Sequence, residues 1–486
     1  MQSRQTDVAI IGGGTAGMAA YREARANGRR AILIEGGSFG TTCARVACMP
    51  SKLLIAAANA AFDTRHLGEF GIRLDGPVHV DGVAVLARVR RERDRFVDSV
   101  LAEIADFPEA DKLRGQARFI NQTTLEVQSD GQAPLTVLAR TVIIATGAHA
   151  VIPPEYAALG ELAVTSDQLF EWPTLPRRVA VIGTGLIALE LGQALSRLGV
   201  AVHMFGRGGA VGPLTDPAVS DYARKTFQEE FYFDADARID RVTRVDQQAE
   251  LRFVDLHGIS RSERFDYVLV ATGRRPNLAS LDLAKTGLAL DDHGVPRFDP
   301  QTQQCGNSAI FIAGDADNQR PWLNDAADDG RIAGNQASVY PAVSTSMRRA
   351  PMSVVFSSPQ MLMVGERYAA LAAHAQQRPF VVGQASFDDQ GRAKIEMTNR
   401  GLVRLYAETS SGLLLGAEGF AAAGEHFAHL LGWALQCGMT VQQMTELPFY
   451  HPVYEEGLRS ALRDATTKLP RSLVANGPRI ANTVGM

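Results

Sequence analysis

The chain has 486 residues, 46% of them apolar and 21% charged, which excludes collagen-like and disordered polypeptides and, at roughly 150 residues per domain, predicts about three domains. Its 49 basic and 53 acidic residues leave a net charge of −4, without the basic excess of a nucleic-acid or membrane-surface binder, so small-molecule partners are expected. The four cysteines, Cys43, Cys48, Cys305 and Cys437, are too few for a secreted disulfide framework, and any cysteine chemistry must be local.

Met1 to Asp7 is polar and leads directly into an apolar strand at 8–11, so no targeting segment is expected. The glycine run GGGTAG, an Ala-rich helix ending at Gly28 and a strand at 31–35 complete a βαβ opening. A charged helix is predicted over 82–106. Its basic run RVRRERDR is interrupted by Glu92 and Asp94 and reads as a solvated face, not a nucleic-acid site. Hairpin-rich strands follow at 117–145. The βαβ pattern returns at 179–207, and in both copies 23 positions separate the first glycine from the residue at the second strand's end (Gly12 to Glu35, Gly183 to Gly206). The apolar region Val179 to Phe205 is broken by Gly183, Gly185, Glu190, Arg197 and Gly199, which argues against a membrane span. More strands are expected at 251–271 and near 310. A Pro-flanked linker, 340–352, leads to a last domain of short strands (SVVF, RPFVVG, KIEM, LVRLYAE) and amphipathic helices up to about residue 465.

Gly12-x-Gly14-x-x-Gly17 follows a strand and opens a helix, the context of a dinucleotide fingerprint. The glycines permit a tight turn and close approach of backbone to a pyrophosphate, which the helix N-terminus then attracts. Glu35, at the end of the next strand, is placed to accept hydrogen bonds from ribose hydroxyls. The second copy, Gly183-x-Gly185-x-x-Ala188, has Gly206 in the acid's place and Arg207 after it. An acid there repels a 2′-phosphate and an arginine pairs with one, so this copy is expected to favour NADP(H) over NAD(H).

Cys43 and Cys48 lie five residues apart, followed by MetProSerLys52. In a regular helix their Cα atoms would be about 8.7 Å apart. A disulfide wants less than about 7 Å, so the segment must be locally distorted if the pair bridges. Metal binding is the competing reading, although two thiolates at this spacing, without a nearby histidine or second cysteine pair, make a poor site.

The constellation GGGTAG, Glu35, TTCARVACMPSK, ATG, GTGLIALE, ATGRRPN, AGD and HPVYEE resembles the pyridine nucleotide-disulfide oxidoreductases of the dihydrolipoamide dehydrogenase, glutathione reductase and mercuric reductase branch. The stretches FGRGGAVGPLTDPAV and PFYHPVYEEGL look most like its dihydrolipoamide dehydrogenase-like members. The resemblance implies an α/β chain of two Rossmann-like, three-layer dinucleotide-binding domains with an α+β C-terminal dimerisation domain. The corresponding layout is FAD-binding at 1–150, NAD(P)-binding at 151–280, a second FAD-binding part at 281–350 and an interface domain at 351–486. A cytoplasmic homodimer is expected, acting on a small-molecule or protein-bound disulfide or dithiol and touching neither nucleic acid nor membrane.

By the same resemblance, Cys43 is the thiol that attacks the substrate disulfide and Cys48 the thiol lying against the flavin. Lys52 approaches the flavin and pairs with Glu190. Asp315 binds the ribityl chain, and Thr42, Ala117, Thr146, Gly147, Gly314 and Gly273 belong to the cofactor contacts. His451 is implied as acid/base toward the partner subunit's Cys43, oriented by Glu456. Elementary chemistry agrees: the thiolate is the nucleophile, and an imidazole titrating near ~6.5 can take and return its proton at neutral pH.

Departures from the family pattern bear on activity. Arg45 and Ala47 replace the Asn and Gly usual inside the cysteine pair, so a cation near the flavin or substrate mouth and a stiffer backbone are expected. Leu186 stands where glutathione reductases often carry a gating tyrosine, and the tail ANTVGM lacks the C-terminal redox pair of mercuric and large thioredoxin reductases. The alternatives are an NADPH-dependent glutathione-type reductase and, in another class, a catalytically decayed scaffold that senses flavin or nucleotide. His426 and His429 fit an amphipathic core helix with no third metal ligand, and Cys437 on that helix reads as a buried small hydrophobe. Cys305 lies in a polar loop without a visible partner, and no metal is expected.

Overall fold

The computed structural model describes residues 2–474. Strand β1 (Ser3–Ile11), helix α1 (Thr15–Ala26) and strand β2 (Ala31–Glu35) form the first βαβ unit. β1 pairs in parallel with β2 and with Leu135–Ile144, which also holds Ile310–Ile312 in parallel, while 116–121 and 124–128 add an antiparallel edge. Val8, Ala9 and Ile10 are buried because helices and strands cover both faces, as a continuous apolar run in a parallel sheet requires. The strand starts earlier than its apolar core suggests: polar Ser3–Thr6 extends it by ladder bonds to 136–139.

The helix Leu323–Val339 returns across the first sheet against α1. A Cβ on Gly330 or Gly334 would come within 2.2 Å of Ala16 O or 2.6 Å of Ala20 O, so the two backbones meet only where side chains are absent. The loop of Gly314 and Asp315 is placed by the parallel pairing of Ile310–Ile312 with 142–144, continued by Ala313 N–H donating to Ile144 O at 2.9 Å.

Helices α2 (Thr42–Val46) and α3 (Cys48–Asp63) carry the two cysteines. The second parallel sheet runs in the order 232–234, 201–205, 178–182, 267–270, 163–164. Its β3 (Arg178–Ile182), α4 (Leu186–Arg197) and β4 (Ala201–Phe205) repeat the opening unit. The third sheet is antiparallel, in the order 352–355, 360–365, 414–421, 401–408, 380–386, and is covered by helices 424–436 and 456–468. The architecture is α/β with two Rossmann-like units and an α+β C-terminal unit.

The helix over 82–105 replaces the expected 82–106, and its alternating charges pair along the surface: Glu92 with Arg91 and Arg95, and Asp94 with Arg93. One expected strand is wrong. KIEM belongs to a helical turn, Gly391–Ile395, which Gln390 caps by accepting the Ala393 N–H at 2.7 Å while Ala393 is buried. The tail segment ANTVGM, 481–486, and the end of the interface region, 475–486, lie outside the described residues. Among the described residues no helix is long and apolar enough to cross a membrane.

Candidate active site

Each glycine turn is shaped by backbone that tolerates no side chain. Gly12 has φ +109°, and a Cβ there would meet Ala145 O at 2.2 Å; one on Gly17 would meet Gly12 O at 1.9 Å. Gly14, the N-cap of α1, is different, since a Cβ there has no neighbour within 4 Å and its face of the turn is open to a ligand. Glu35 closes the other side, its two oxygens accepting the Gly13 and Gly37 N–H groups at 2.7 Å each.

Thr146 follows the 135–144 strand, and its Oγ1 is buried without a partner, a donor awaiting an acceptor. Gly147, at φ +67°, turns the chain so that its carbonyl accepts the Asn277 N–H at 2.9 Å, while Asn277 Nδ2 donates to Thr146 O. The ATG and ATGRRPN segments thus meet through Asn277, with Gly273, at φ +136°, ending the second ATG. Gly314, also at φ +67°, packs over Ala16 and presents Asp315, whose carboxyl is pushed above the usual range by burial, with Arg274 opposing. Ala117 is buried in the sheet beside Gln116, whose amide donates to Gly36 O at 3.1 Å. An open glycine face, an orphaned hydroxyl and two carboxylates fit a dinucleotide such as FAD.

In the second turn Gly183 has φ +114° with Ala271 O 2.5 Å from its Cβ position, Gly185 caps α4, and Ala188 is fully buried. Gly206 is as constrained, since a Cβ would lie 2.5 Å from Ala235 O; no acid can occupy that place without moving backbone. Arg207 is exposed beside it. Thr184 was not singled out from sequence, yet its hydroxyl donates to Ala210 O at 2.7 Å and its carbonyl accepts the Gly212 N–H at 2.7 Å, fixing the loop that carries Arg207.

The cysteine segment is broken as a bridge requires. α2 ends at Ala47, whose φ −125°, ψ −99° is non-helical, and α3 begins at Cys48. The two thiols adjoin, close enough for Cys43 to act as a hydrogen-bond donor to Cys48. That bond, donated by Cys43, draws the Cys48 thiol down to about 7; burial opposes it, the Lys52 cation helps and Glu190 counters. Cys43 is pushed up by the same hydrogen bond and by burial.

Lys52, one helical turn beyond Cys48, pairs with Glu190 Oε2 at 2.7 Å and lies 4.7 Å from the Phe356 ring centroid. Glu190 is 4% exposed, and its other oxygen accepts the Phe356 N–H at 2.9 Å. Phe356 was missed by sequence reading because its part is a backbone N–H, which no side-chain pattern marks. His451 Nδ1 lies 3.0 and 3.1 Å from the Glu456 oxygens, and Glu456 also accepts the Val453 N–H at 3.2 Å. His451 is well exposed and, among the described residues, makes no hydrogen bond to the thiols of its own chain.

Several expectations are corrected. Arg45 does not bring a free cation to the site: its guanidinium folds back, Nε donating to Phe39 O at 2.8 Å. Thr42 is not among those corrected: it is exposed at the start of α2, while Thr41, not singled out from sequence, caps the helix by accepting the Ala44 N–H at 3.2 Å. Cys437 is exposed at the end of its helix, whereas Cys305 is buried, its loop bridged to Phe298 and its thiol pushed up by desolvation. As expected, His426 and His429 belong to an amphipathic helix, exposed while Phe427, Ala428 and Leu431 are buried.

A sequence model described as pyridine nucleotide-disulphide oxidoreductase matches residues 6–337, and one for the dimerisation domain of those enzymes matches 351–462. The chain belongs to the pyridine nucleotide-disulphide oxidoreductase family. It is therefore an FAD-dependent disulfide oxidoreductase that binds a pyridine nucleotide and carries the family's dimerisation domain. Mercuric reductase of Shigella flexneri is 32% identical over 460 residues, 93% of this chain and 80% of the relative. Dihydrolipoyl dehydrogenase of Haloferax volcanii is 28% identical over 471 residues, 95% of this chain and 96% of the relative. Two solved structures share the fold. LpdA from Mycobacterium tuberculosis has a TM-score of 0.81 at 22% identity, covering 95% of this chain and 99% of its own. The HOCl-induced flavoprotein disulfide reductase RclA from Escherichia coli, as its Cu(II) complex, has a TM-score of 0.80 at 22% identity, covering 96% of this chain and 99% of its own.

Proposed function

We propose that this chain is an NADP(H)-preferring, dihydrolipoamide dehydrogenase-like enzyme that moves an electron pair between the nucleotide and a disulfide or dithiol through Cys48 and Cys43. The carrying observation is the adjoining thiol pair, with the Cys48 thiol drawn down to about 7 beside Lys52 and Glu190. Bound FAD supplies hydride acceptance from the nucleotide and two-electron exchange with the thiols. Residues 1–150 and 281–350 hold it, 151–280 hold the nucleotide, and 351–486 form the interface of a cytoplasmic homodimer.

Toward a substrate disulfide, Cys43 gives its proton to the partner's His451, joins one substrate sulfur and releases the other as a thiol. Cys48 then attacks Cys43, the second substrate thiol leaves, and the enzyme disulfide remains; two electrons and two protons have passed to the substrate. His451, contributed across the dimer and oriented by its 3.0 Å contact with Glu456, returns the proton to each leaving sulfur. Lys52 places its charge where electron density develops, and Glu190 holds Lys52 there. Arg207, exposed after Gly206, offers its guanidinium to a 2′-phosphate.

Anaerobic titration with NADPH and then NADH tests the reading through the long-wavelength thiolate-to-flavin band. NADPH is expected to raise the band and Cys48→Ser to abolish it; a band unaffected by that substitution refutes the relay. Turnover with lipoamide, glutathione disulfide, quinones and Hg(II) then assigns the acceptor, and a preference for glutathione disulfide would favour the glutathione-type alternative. An Arg207→Glu variant that keeps its NADPH affinity would overturn the nucleotide preference.

A further inference from the structure

We propose that Arg45 is a positioning residue that clamps the Cys43 helix to the Phe39 turn and thereby sets the thiol–disulfide equilibrium of the Cys43–Cys48 pair. The inference rests on the redox-pair reading above and deepens it.

α2 is five residues long, too short to hold its own shape. It is bounded by non-helical backbone at both ends, Ala47 at one and Thr41, at φ +55°, with Gly40, at φ +116°, at the other. The Thr41 cap and the burial of Ala44 hold its first turn, and the Arg45 fork ties its last turn back to the segment before it. Nε and a terminal nitrogen both donate to Phe39 O, and the guanidinium lies over Gly40, where a Cβ would be 2.8 Å from Nε. Phe39 is itself fixed. It is 6% exposed, its ring lies 2.7 Å from the Cβ position of Gly13, and Arg114 covers it at 5.3 Å from the centroid. The clamp therefore runs from the first glycine turn through Phe39 and Arg45 to the helix that carries Cys43.

Arg45 acts by position and not by charge. Two residues along a helix is about 200° around its axis, so the guanidinium leaves on the side away from the Cys43 thiol. The cation that lowers both thiols is Lys52. Oxidation of the pair joins Sγ of Cys43 to Sγ of Cys48 and gives up two electrons and two protons, which a disulfide oxidant takes as it becomes two thiols. The dithiol tolerates a loose α2, but the bridge needs the Cα atoms within about 7 Å. Releasing the clamp lowers the effective concentration of one thiol at the other and shifts the equilibrium toward dithiol.

The experiment equilibrates holoenzyme, wild type and Arg45→Ala, Arg45→Gln and Arg45→Lys, in glutathione redox mixtures, quenches by alkylation and measures the bridged fraction by mass spectrometry. Arg45→Ala is expected to shift the constant about tenfold toward dithiol, ~30 mV less negative for a two-electron couple. Arg45→Gln, which keeps stem length and one donor group, is expected to shift it about threefold or more in the same direction, and this variant decides if Arg45→Ala does not fold. The pH inflection of Cys48 alkylation is expected to be the same in the variants as in the parent. A smaller shift in Arg45→Gln overturns the clamp, as does an inflection that moves in the variants. A wild-type chain that forms no Cys43–Cys48 bridge at any ratio overturns the redox-pair reading itself.

Discussion

The hydrogen bond from Cys43 is the largest influence holding the Cys48 thiol near 7, and replacing its donor tests that directly. Cys43→Ala removes the S–H and leaves burial and Glu190, which oppose ionisation, against Lys52, which favours it. The Cys48 inflection is then expected to rise to at least the ordinary value of ~8.5, a shift of about 1.5 units or ~2 kcal/mol at 1.36 kcal/mol per unit. At pH 7 the thiolate fraction falls from about one half to about 3%. Cys43→Ser retains a hydroxyl donor and is expected to show less than about half of that rise. The assay is the initial rate of iodoacetamide alkylation at Cys48, mapped by mass spectrometry across pH in the two-electron-reduced protein. Because the thiols titrate as a pair, the parent is expected to release its first proton near neutrality and its second well above. An inflection in Cys43→Ala that remains near the parent's would refute the reasoning and assign the low value to Lys52 alone.

Glu190 raises the Cys48 value, so Glu190→Gln is expected to move the same inflection below that of the parent; the amide oxygen can still accept the Phe356 N–H, which separates the charge effect from loss of packing. Gly14→Ala is expected to keep its melting temperature and lose flavin affinity, because its Cβ meets nothing in the chain, whereas Gly17→Ala, with its Cβ 1.9 Å from Gly12 O, loses flavin and stability together; absorbance at the flavin band and thermal melting distinguish them. Asp317 is pushed up to about 7, chiefly by burial, so the folded chain keeps a proton that the unfolded chain releases from about pH 4 upward, and stability falls as pH rises from ~4 to ~7. Asp317→Asn, still able to accept the Gln319 N–H, is expected to match the parent near pH 4 and exceed it above pH 7 by up to ~4 kcal/mol in urea unfolding of the flavin-free protein.

The parts of the molecule legible in the sequence are those whose physics is local. A glycine turn between strand and helix declares itself because each glycine answers a clash with backbone a few ångströms away, and both turns formed as read. The cysteine pair was legible as a conditional distortion: a bridge at this spacing would require a break between 43 and 48, and Ala47 supplies one. Reading failed where a nearby hydrogen bond outweighed pattern. KIEM alternates like a strand, but the Gln390 cap and the burial of Ala393 make a helical turn. Cys305 and Cys437 exchanged their expected environments for a similar reason. The bridge from Phe298 folds the polar loop of Cys305 over an apolar cluster, and Cys437 ends its helix where packing stops.

The electrostatics of the thiols could not be read from any one segment, because the groups that set them come from three. Lys52 follows Cys48 by one turn, Glu190 rides on the helix of the second glycine turn, 138 positions away, and Phe356 comes from the antiparallel unit. Each alone is unremarkable, and a lysine on an isolated α3 would simply be solvated. Packed together, the carboxylate is held by a backbone N–H and pairs with the ammonium, so Lys52 is kept beside the thiols with its charge partly offset. Lys52 therefore lowers the Cys48 value while Glu190 restrains the effect. The low value thus arises within the cysteine segment, from Cys43 and Lys52, and the assembled units set how far it falls, so a substitution at Glu190 reaches the sulfur without touching it.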